Sequence, residues 1–172
     1  MNIRKATEND IDAIASIYDH IHDEEEAGRM TIGWRRGVYP VRATAETAVT
    51  LGDMFVLEDG GEVLAAGRIN REQVSEYADI DWLYKTAGDV WVLHTLVVEP
   101  SANGRGYARA FLEFYEEYAL EHGCHILRID TNAHNAAARA MYAKHGWREA
   151  AIVPCTFNGL SGVKLVGLEK KI

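Results

Sequence analysis

What this sequence has little of narrows it first. It holds only two cysteines, Cys124 and Cys155, far apart and in no metal-ligand or redox spacing, which argues against a disulfide framework or a zinc site; no metal is expected. Three prolines leave no Pro-rich linker, and no composition break or internal repeat divides the chain, so one domain over residues 1–172 is expected. No run of about 18 apolar residues exists to span a membrane, and Met1-Asn2-Ile3-Arg4-Lys5-Ala6-Thr7 has no apolar secretory core. The expectation is a cytoplasmic protein without a membrane partner. Basic charge is short as well: 18 Lys and Arg face 26 Asp and Glu, giving a formal net charge of −8. That sign disfavours nucleic acid, which rewards clustered cations through counterion release.

What is present reads as an α/β domain with a mixed sheet. Asn2 to Ala6 is a strand candidate, and Ile11, Ile14, Ala15, Tyr18 and Ile21 recur at helical spacing, predicting a helix to about His22. Thr44 can cap a short helix ending near Gly52, and Met54–Glu58 and Val63–Asn70 form a hairpin across Asp59-Gly60-Gly61. Arg71 to Gly88 is polar and reads as a loop or insertion. Val90 to Val98 has the apolar density of a central strand. Arg105 to His122 carries a helical aromatic stripe closed by Gly123, His125–Asp130 is a strand, Asn135–Lys144 a helix closed by Gly146, and the remainder two strands around Asn158-Gly159. Strand, helix, strand, helix in the second half demands some parallel pairing.

Chemistry concentrates where the central strand enters the long helix, through Glu99-Pro100-Ser101-Ala102-Asn103-Gly104-Arg105-Gly106-Tyr107-Ala108. Glycines let backbone approach a ligand, and the free N–H groups and positive dipole end of the helix suit a pyrophosphate. Arg105 and Arg109 offer charge-assisted bonds to phosphate. A dinucleotide fingerprint is the competing interpretation, because Gly104-Arg105-Gly106 opens a helix and Asp130 ends the next strand. Arg109 stands where that fingerprint wants glycine or alanine. A phosphate-binding P-loop would need Gly-Lys-Ser/Thr here, which is missing.

Leu96-Val97-Val98-Glu99-Pro100 followed by Asn103-Gly104-Arg105-Gly106-Tyr107-Ala108 resembles the acetyl-CoA motif of the GNAT superfamily, Q/R-x-x-G-x-G/A. Gly106 and Ala108 match, and Asn103 stands where the family carries Gln or Arg. Asn135-Ala136-Ala137-Ala138-Arg139-Ala140-Met141-Tyr142-Ala143-Lys144-His145-Gly146-Trp147 resembles its second signature. The resemblance implies a mixed, mostly antiparallel sheet flanked by helices, with a splayed central strand pair that admits the acetyl-pantetheine arm. It implies a cosubstrate, acetyl-CoA, bound by Leu96, Val97, Val98, Asn103, Gly104, Arg105, Gly106, Tyr107, Ala108, Arg109, Asn135 and Arg139. It also implies an N-acetyltransferase in which a primary amine attacks the acetyl carbon directly, backbone N–H of Leu96 to Val98 stabilises the oxyanion, and Tyr142 is the general acid at the sulfur.

The amine needs a base, since an ammonium of pKa about 10.4 costs roughly 4.6 kcal/mol to deprotonate at pH 7. His94 is the first candidate, with Glu99, Asp130 and His134 behind it; a half-buried, hydrogen-bonded histidine on the face of Val92 and Leu96 is an equally good reading. The acceptor is a small-molecule amine or a peptide amine, and a homodimer is left open. Substrate choice is expected in His22-Asp23-Glu24-Glu25-Glu26 and in Gly33-Trp34-Arg35-Arg36-Gly37-Val38-Tyr39-Pro40. The acidic run would oppose the macrodipole at a helix C-terminus, so it lies beyond the helix as solvated charge or attracts a cation. A module that binds acyl-CoA without turnover is a third interpretation, against which Tyr142 speaks. Acetyl-CoA is predicted to raise the melting temperature by mass action, whereas NAD and NADP are not; a larger shift with either dinucleotide would reverse the assignment.

Overall fold

A computed structural model describes residues 1–86 and 88–172. Seven strands, β1 (Asn2–Lys5), β2 (Met54–Asp59), β3 (Glu62–Asn70), β4 (Trp91–Val98), β5 (Ile126–Asn132), β6 (Arg148–Phe157) and β7 (Leu160–Lys171), make one sheet in the order β1-β2-β3-β4-β5-β7-β6. All neighbours are antiparallel except β4 and β5. Helices α1 (Ile11–Glu26), α2 (Arg42–Thr50), α3 (Tyr107–Glu121) and α4 (Ala136–Lys144) flank the sheet. The parallel pair is the one joined through α3, as a crossover requires.

Strand alternation sorts the core onto two faces. Ile14, Ile17, Tyr18 and Ile21 of α1, with Ala45 and Ala48 of α2, cover Met54, Val56, Ala66 and Val97. The intervening residues Phe55, Leu57 and Ala65 point to the other face, under Phe111, Leu112, Tyr115 and Ala119 of α3 and Tyr142 of α4. Each large side chain fully withdrawn from water contributes about 1.5–3 kcal/mol. Gly67 lets α3 lie close, since a Cβ there would come within 2.9 Å of the Phe111 ring.

Three boundaries differ from the sequence expectation. Helix α1 runs past His22 to Glu26, so the acids occupy its last turn after all. They are tolerated because each has a partner. Glu24 pairs with Arg29 at 2.7 Å, Glu25 accepts the N–H groups of Ile32 and Gly33 at 2.7 Å each, and Arg36 bridges Asp23 and Glu26. The acidic run therefore straps the following loop onto the helix. Helix α2 begins at Arg42, and Thr44 sits inside it, where its hydroxyl accepts the Val41 N–H at 3.1 Å.

The third difference is the segment 71–88, of which Ala87 lies outside the described residues. It contains a short 3-10 turn, Ser75–Asp79, and buries Tyr77, Ile80 and Trp82 on β4, β6 and β7. Polar neighbours hide these apolar residues in the sequence. The segment is pinned by Glu169, fully buried in β7, which accepts the N–H groups of Leu83 and Tyr84 at 2.9 and 3.1 Å and pairs with Arg148. Arg128 lies 4.0 Å over the Trp82 ring. Gly167 is bare because a Cβ would collide with Ile80 and Trp82. Glu169→Ala is predicted to cost about 3 kcal/mol by leaving two N–H groups and Arg148 without their acceptor. Urea unfolding and protease cleavage between Arg71 and Lys85 report it; an unchanged midpoint with no new cleavage would contradict the anchoring role.

Candidate functional site

The parallel ladder between β4 and β5 is three residues long, pairing Trp91 with Leu127, Val92 with Arg128 and Leu93 with Ile129. Beyond Leu93, β4 continues beside β3 alone and β5 beside β7 alone. The edge of Leu96 to Val98 that would face β5 thus has no strand partner. A bulge in β4 accompanies the separation: Arg68 pairs with His94 and Ala66 with Val97, so Thr95 and Leu96 oppose a single residue. Thr95 has φ +51°, a left-handed conformation uncommon for a threonine, and its hydroxyl is bonded to that of Tyr39. The bulge also shifts the alternation. Leu96 joins the α3 face, not the face of His94 and Val92 as strict alternation predicts.

A cavity of about 590 Å³ opens where the strands part, reaching from Asn103 and Ala108 past Leu96, Val97 and Val98 to Asp130, Tyr142, Phe157 and Leu160. At its α3 end, Gly104 and Gly106 have φ +79° and +88°, and Gly106 caps the helix. The first bond of the helical ladder runs from Ala110 N–H to Gly106 carbonyl, so the N–H groups of Tyr107, Ala108 and Arg109 precede it. These three N–H groups are left without an intrahelical acceptor.

Tyr142 and Asp130 reach this cavity from opposite faces of the sheet. Tyr142, buried beneath α3 and edge-on to Trp147, lines it together with Met141 and Ala138. Lost hydration and the nearby Asp130 carboxylate push its phenol above the usual range, which keeps it protonated. Asp130 accepts a hydrogen bond from the Tyr77 hydroxyl at 2.8 Å, and loss of hydration raises its carboxyl to about 6. His94 lines the cavity too. Its Nε2 lies 3.1 Å from both the Asn70 Oδ1 and the Glu72 carbonyl, two acceptors, so that nitrogen carries the hydrogen. Burial and the Arg68 charge push the imidazole down to about 4.

The sequence matches the Acetyltransferase (GNAT) family over residues 14–147, which spans both motifs and most of the sheet. The chain belongs to the GNAT acetyltransferase family. Its enzyme class is the family's, acetyl transfer, and the dinucleotide interpretation of the 99–108 turn gives way. The chain is 25% identical over 154 residues to the uncharacterized N-acetyltransferase YhfO of Bacillus subtilis (strain 168), covering 87% of this chain and 91% of that one. A GNAT-family acetyltransferase from Streptococcus agalactiae 2603 superposes with TM-score 0.82 at 22% identity, over 99% of this chain and 95% of that one. The Salmonella typhimurium protein yncA, solved with its cofactor acetyl-CoA, does so with TM-score 0.68 at 18% identity, over 99% and 93%. These two likenesses establish the GNAT fold.

Within that fold the remaining residues named from the sequence separate into two groups. Leu96, Val97, Val98, Asn103, Ala108, Asn135 and Tyr142 all line the one cavity. Asn135 also caps α4, its Oδ1 accepting the Ala138 N–H at 3.1 Å. Gly104, Arg105 and Gly106 form the adjoining exposed turn. Tyr107 turns its side chain into the core, where its hydroxyl donates to Asp59 at 2.9 Å, so only its backbone faces the site. Arg109 is paired with Glu113 at 2.7 Å, and Arg139 grips Glu149 through two bonds of 2.7 and 2.9 Å. Glu99 accepts from His20 at 2.8 Å outside the cavity, and His134 is exposed on the β5–α4 connection.

Trp34 and Tyr39, in the stretch where substrate choice is expected, both line the cavity, whereas sequence reasoning missed Thr95 and Tyr77. No local signal marks a bulge at Thr95, since a threonine in a strand is ordinary; Tyr77 was concealed in a polar segment. Gly106→Ala is predicted to lower unfolding free energy by about 1 kcal/mol, the cost of a Cβ in the left-handed region. Among the described residues nothing beyond its chain neighbours lies within 4 Å of that Cβ, so a further loss of acetyl-CoA affinity of about tenfold, read by calorimetry, would come from crowding the ligand. Unchanged affinity would contradict the phosphate cradle.

Proposed function

We propose that this chain carries the acetyl group of acetyl-CoA to a primary amine held in the same cavity, with Tyr142 as hydrogen-bond donor to the departing sulfur and Asp130 as the group that takes the amine's proton. The observation that carries this is the arrival of a protonated phenol and a raised carboxylate, from opposite sheet faces, in one cavity that begins at a free helix N-terminus.

The residues fit the cosubstrate. N–H groups of Tyr107, Ala108 and Arg109, with the bare backbone of Gly104 and Gly106, suit a pyrophosphate, and Asn103 and Arg105 border them. Arg109 stands at the same helix end with its guanidinium engaged by Glu113. Leu96 to Val98 present an unpaired strand edge to the acyl arm, an arrangement that hydrogen-bonds an extended amide chain and offers N–H to a developing oxyanion. Asn135 keeps its amide N–H₂ for the ligand while Oδ1 serves the helix. Arg139 is better read as a brace between α4 and β6. When bound, acetyl-CoA supplies the activated thioester; the chain's residues supply position and proton handling.

Asp130 is favoured over His94 as base on magnitude. Moving a proton from an amine of pKa about 10.4 costs about 6 kcal/mol to a carboxylate at about 6, and about 9 to an imidazole at about 4. His94 is also held by its two acceptors, which suits a residue that positions Asn70 and the chain at Glu72. Having given one proton to Asp130, the amine nitrogen attacks the acetyl carbon; as the carbon–sulfur bond breaks, the nitrogen releases its second proton to solvent and the sulfur departs as a thiolate facing Tyr142, taking up a proton from solvent. Full transfer from Tyr142 is uphill against a thiol of about 8.5. Its contribution is the hydrogen bond.

Tyr142→Phe is predicted to lower kcat by about 10²-fold with acetyl-CoA affinity nearly unchanged, as expected for a bond made mainly in the transition state. Unchanged kcat would remove Tyr142 from the reaction. The kcat/KM profile should rise through about pH 6 and keep that limb in His94→Gln, whereas a limb near 4 that disappears in His94→Gln would restore His94 as base. Asp130 gives a second, independent reading. A carboxyl whose folded pKa is raised contributes stability that is fully present below the unfolded value and lost as pH rises through the folded one, here the window from about 3.8 to about 6. Asp130→Asn should therefore be inactive yet more stable at pH 7.5, by up to about 3 kcal/mol; a destabilised variant would contradict the unpaired carboxylate.

A further inference from the structure

On the face opposite α3, the cavity has a side that the pyrophosphate and acyl arm leave free, and its chemistry is uneven. Trp34 and Tyr39, from the connection between α1 and α2, meet edge to face with centroids 5.9 Å apart. With Val74, and with Phe157 and Leu160 at the β6–β7 turn, they line this side. Charge is distributed as unevenly. Arg68 is the one Lys or Arg among the described lining residues, and its guanidinium is taken by Asp53 at 3.2 Å and Glu72 at 2.9 Å. Of the two lining carboxylates, Glu72 is thereby neutralised. Asp130 has the Tyr77 hydroxyl, and the charge that adds to its surroundings is another carboxylate, Glu76.

This side is also closed over. A Cβ on Gly159 would come 3.3 Å from Val38 Cγ1, so the β6–β7 turn touches the α1–α2 connection. A Cβ on Gly33 would run into the Asn132 side chain, and the Thr31 hydroxyl donates to the His134 carbonyl at 3.3 Å. The connection is thus fastened to the turn on one flank and to the end of β5 on the other. An extended polypeptide would bring a row of amides against the side chains of Val74, Phe157 and Leu160, which offer no hydrogen bond.

We propose that the acceptor is a small arylalkyl primary amine without a carboxylate, its ring among Trp34, Tyr39, Phe157 and Leu160 and its ammonium against Asp130. The inference rests on the acetyl-transfer reading above. An amine cation supplies the counter-charge that Asp130 lacks, and its apolar body matches the aromatic lining. An α-amino acid would bring a second carboxylate beside Asp130, where Arg68 is already committed to Asp53 and Glu72, and like charges repel there.

The test compares 2-phenylethylamine with phenylalanine, which differ by the carboxylate alone, and with the peptide Phe-Ala-Ala-amide, following release of the CoA thiol. Acetyl-CoA binding is measured separately by calorimetry. The amine is expected to exceed phenylalanine and the peptide in kcat/KM by about tenfold or more. Equal or better turnover of phenylalanine or the peptide overturns the inference, as does acetyl-CoA binding with none of the three acetylated; acetyl-CoA failing to bind would instead overturn the acetyl-transfer reading and the inference with it. Leu160→Lys, which adds a cation to this side, should swing the preference toward phenylalanine by about tenfold. An unmoved preference would mean that the acceptor lies elsewhere.

Discussion

β4 and β5 stay bonded only from Trp91 and Leu127 to Leu93 and Ile129, and the rest of the molecule is arranged around what that brevity costs. Two central strands that part inside a sheet expose backbone on both inner edges, a debt that a purely structural fold would avoid. Here the bulge at Thr95 turns β4 away, α3 starts just beyond the strand, and α4 follows β5, so the gap receives a helix N-terminus at one end and Tyr142 from the other flank. A site that joins the two faces of a sheet can bring together groups that no single face could hold. The acid and the base proposed for this chain are such a pair.

Asp130 shows the same trade in electrostatic terms. A carboxylate set away from bulk water with no cation costs stability, and the structure maintains it through a chain of contacts that begins far from the cavity. Glu169 holds Leu83 and Tyr84, these anchor the 71–86 segment, and that segment places Tyr77 on Asp130. Trp82 stacked on Arg128 and the bare Gly167 let the segment lie flat. The α1–α2 connection is fastened in a similar way by the acids of α1, whose repulsion from the helix dipole is offset by Arg29, Arg36 and the N–H groups of Ile32 and Gly33. Both walls of the proposed acceptor side are therefore held by charged groups outside it.

Much of this was legible in the sequence because it rests on local rules. Glycines at 104 and 106, the aromatic stripe of α3 and Gly146 closing α4 each report a backbone geometry within a few residues of themselves, and two family motifs fixed their relation. The β2–β3 hairpin and the succession of elements in the second half followed from period and turn chemistry. What escaped depends on partners distant in the chain. Thr95 is left-handed because of Tyr39 and the strand separation, and Asp130 is raised because of what surrounds it in space. His94 looked well placed as a base because of its strand position; its two acceptors, from Asn70 and Glu72, come from β3 and the loop after it. Arg139, expected among the cofactor-binding residues, is engaged by Glu149, a partner ten residues away on β6.

Backbone amide hydrogen exchange, with and without CoA, tests the central claim that the gap between β4 and β5 is where the acyl arm lies. The account predicts new protection at the N–H groups of Leu96 to Val98 and of Gly104 to Arg109, with the already paired Trp91 to Leu93 unchanged. Protection confined to other surfaces, with Leu96 to Val98 exchanging as before, would contradict it.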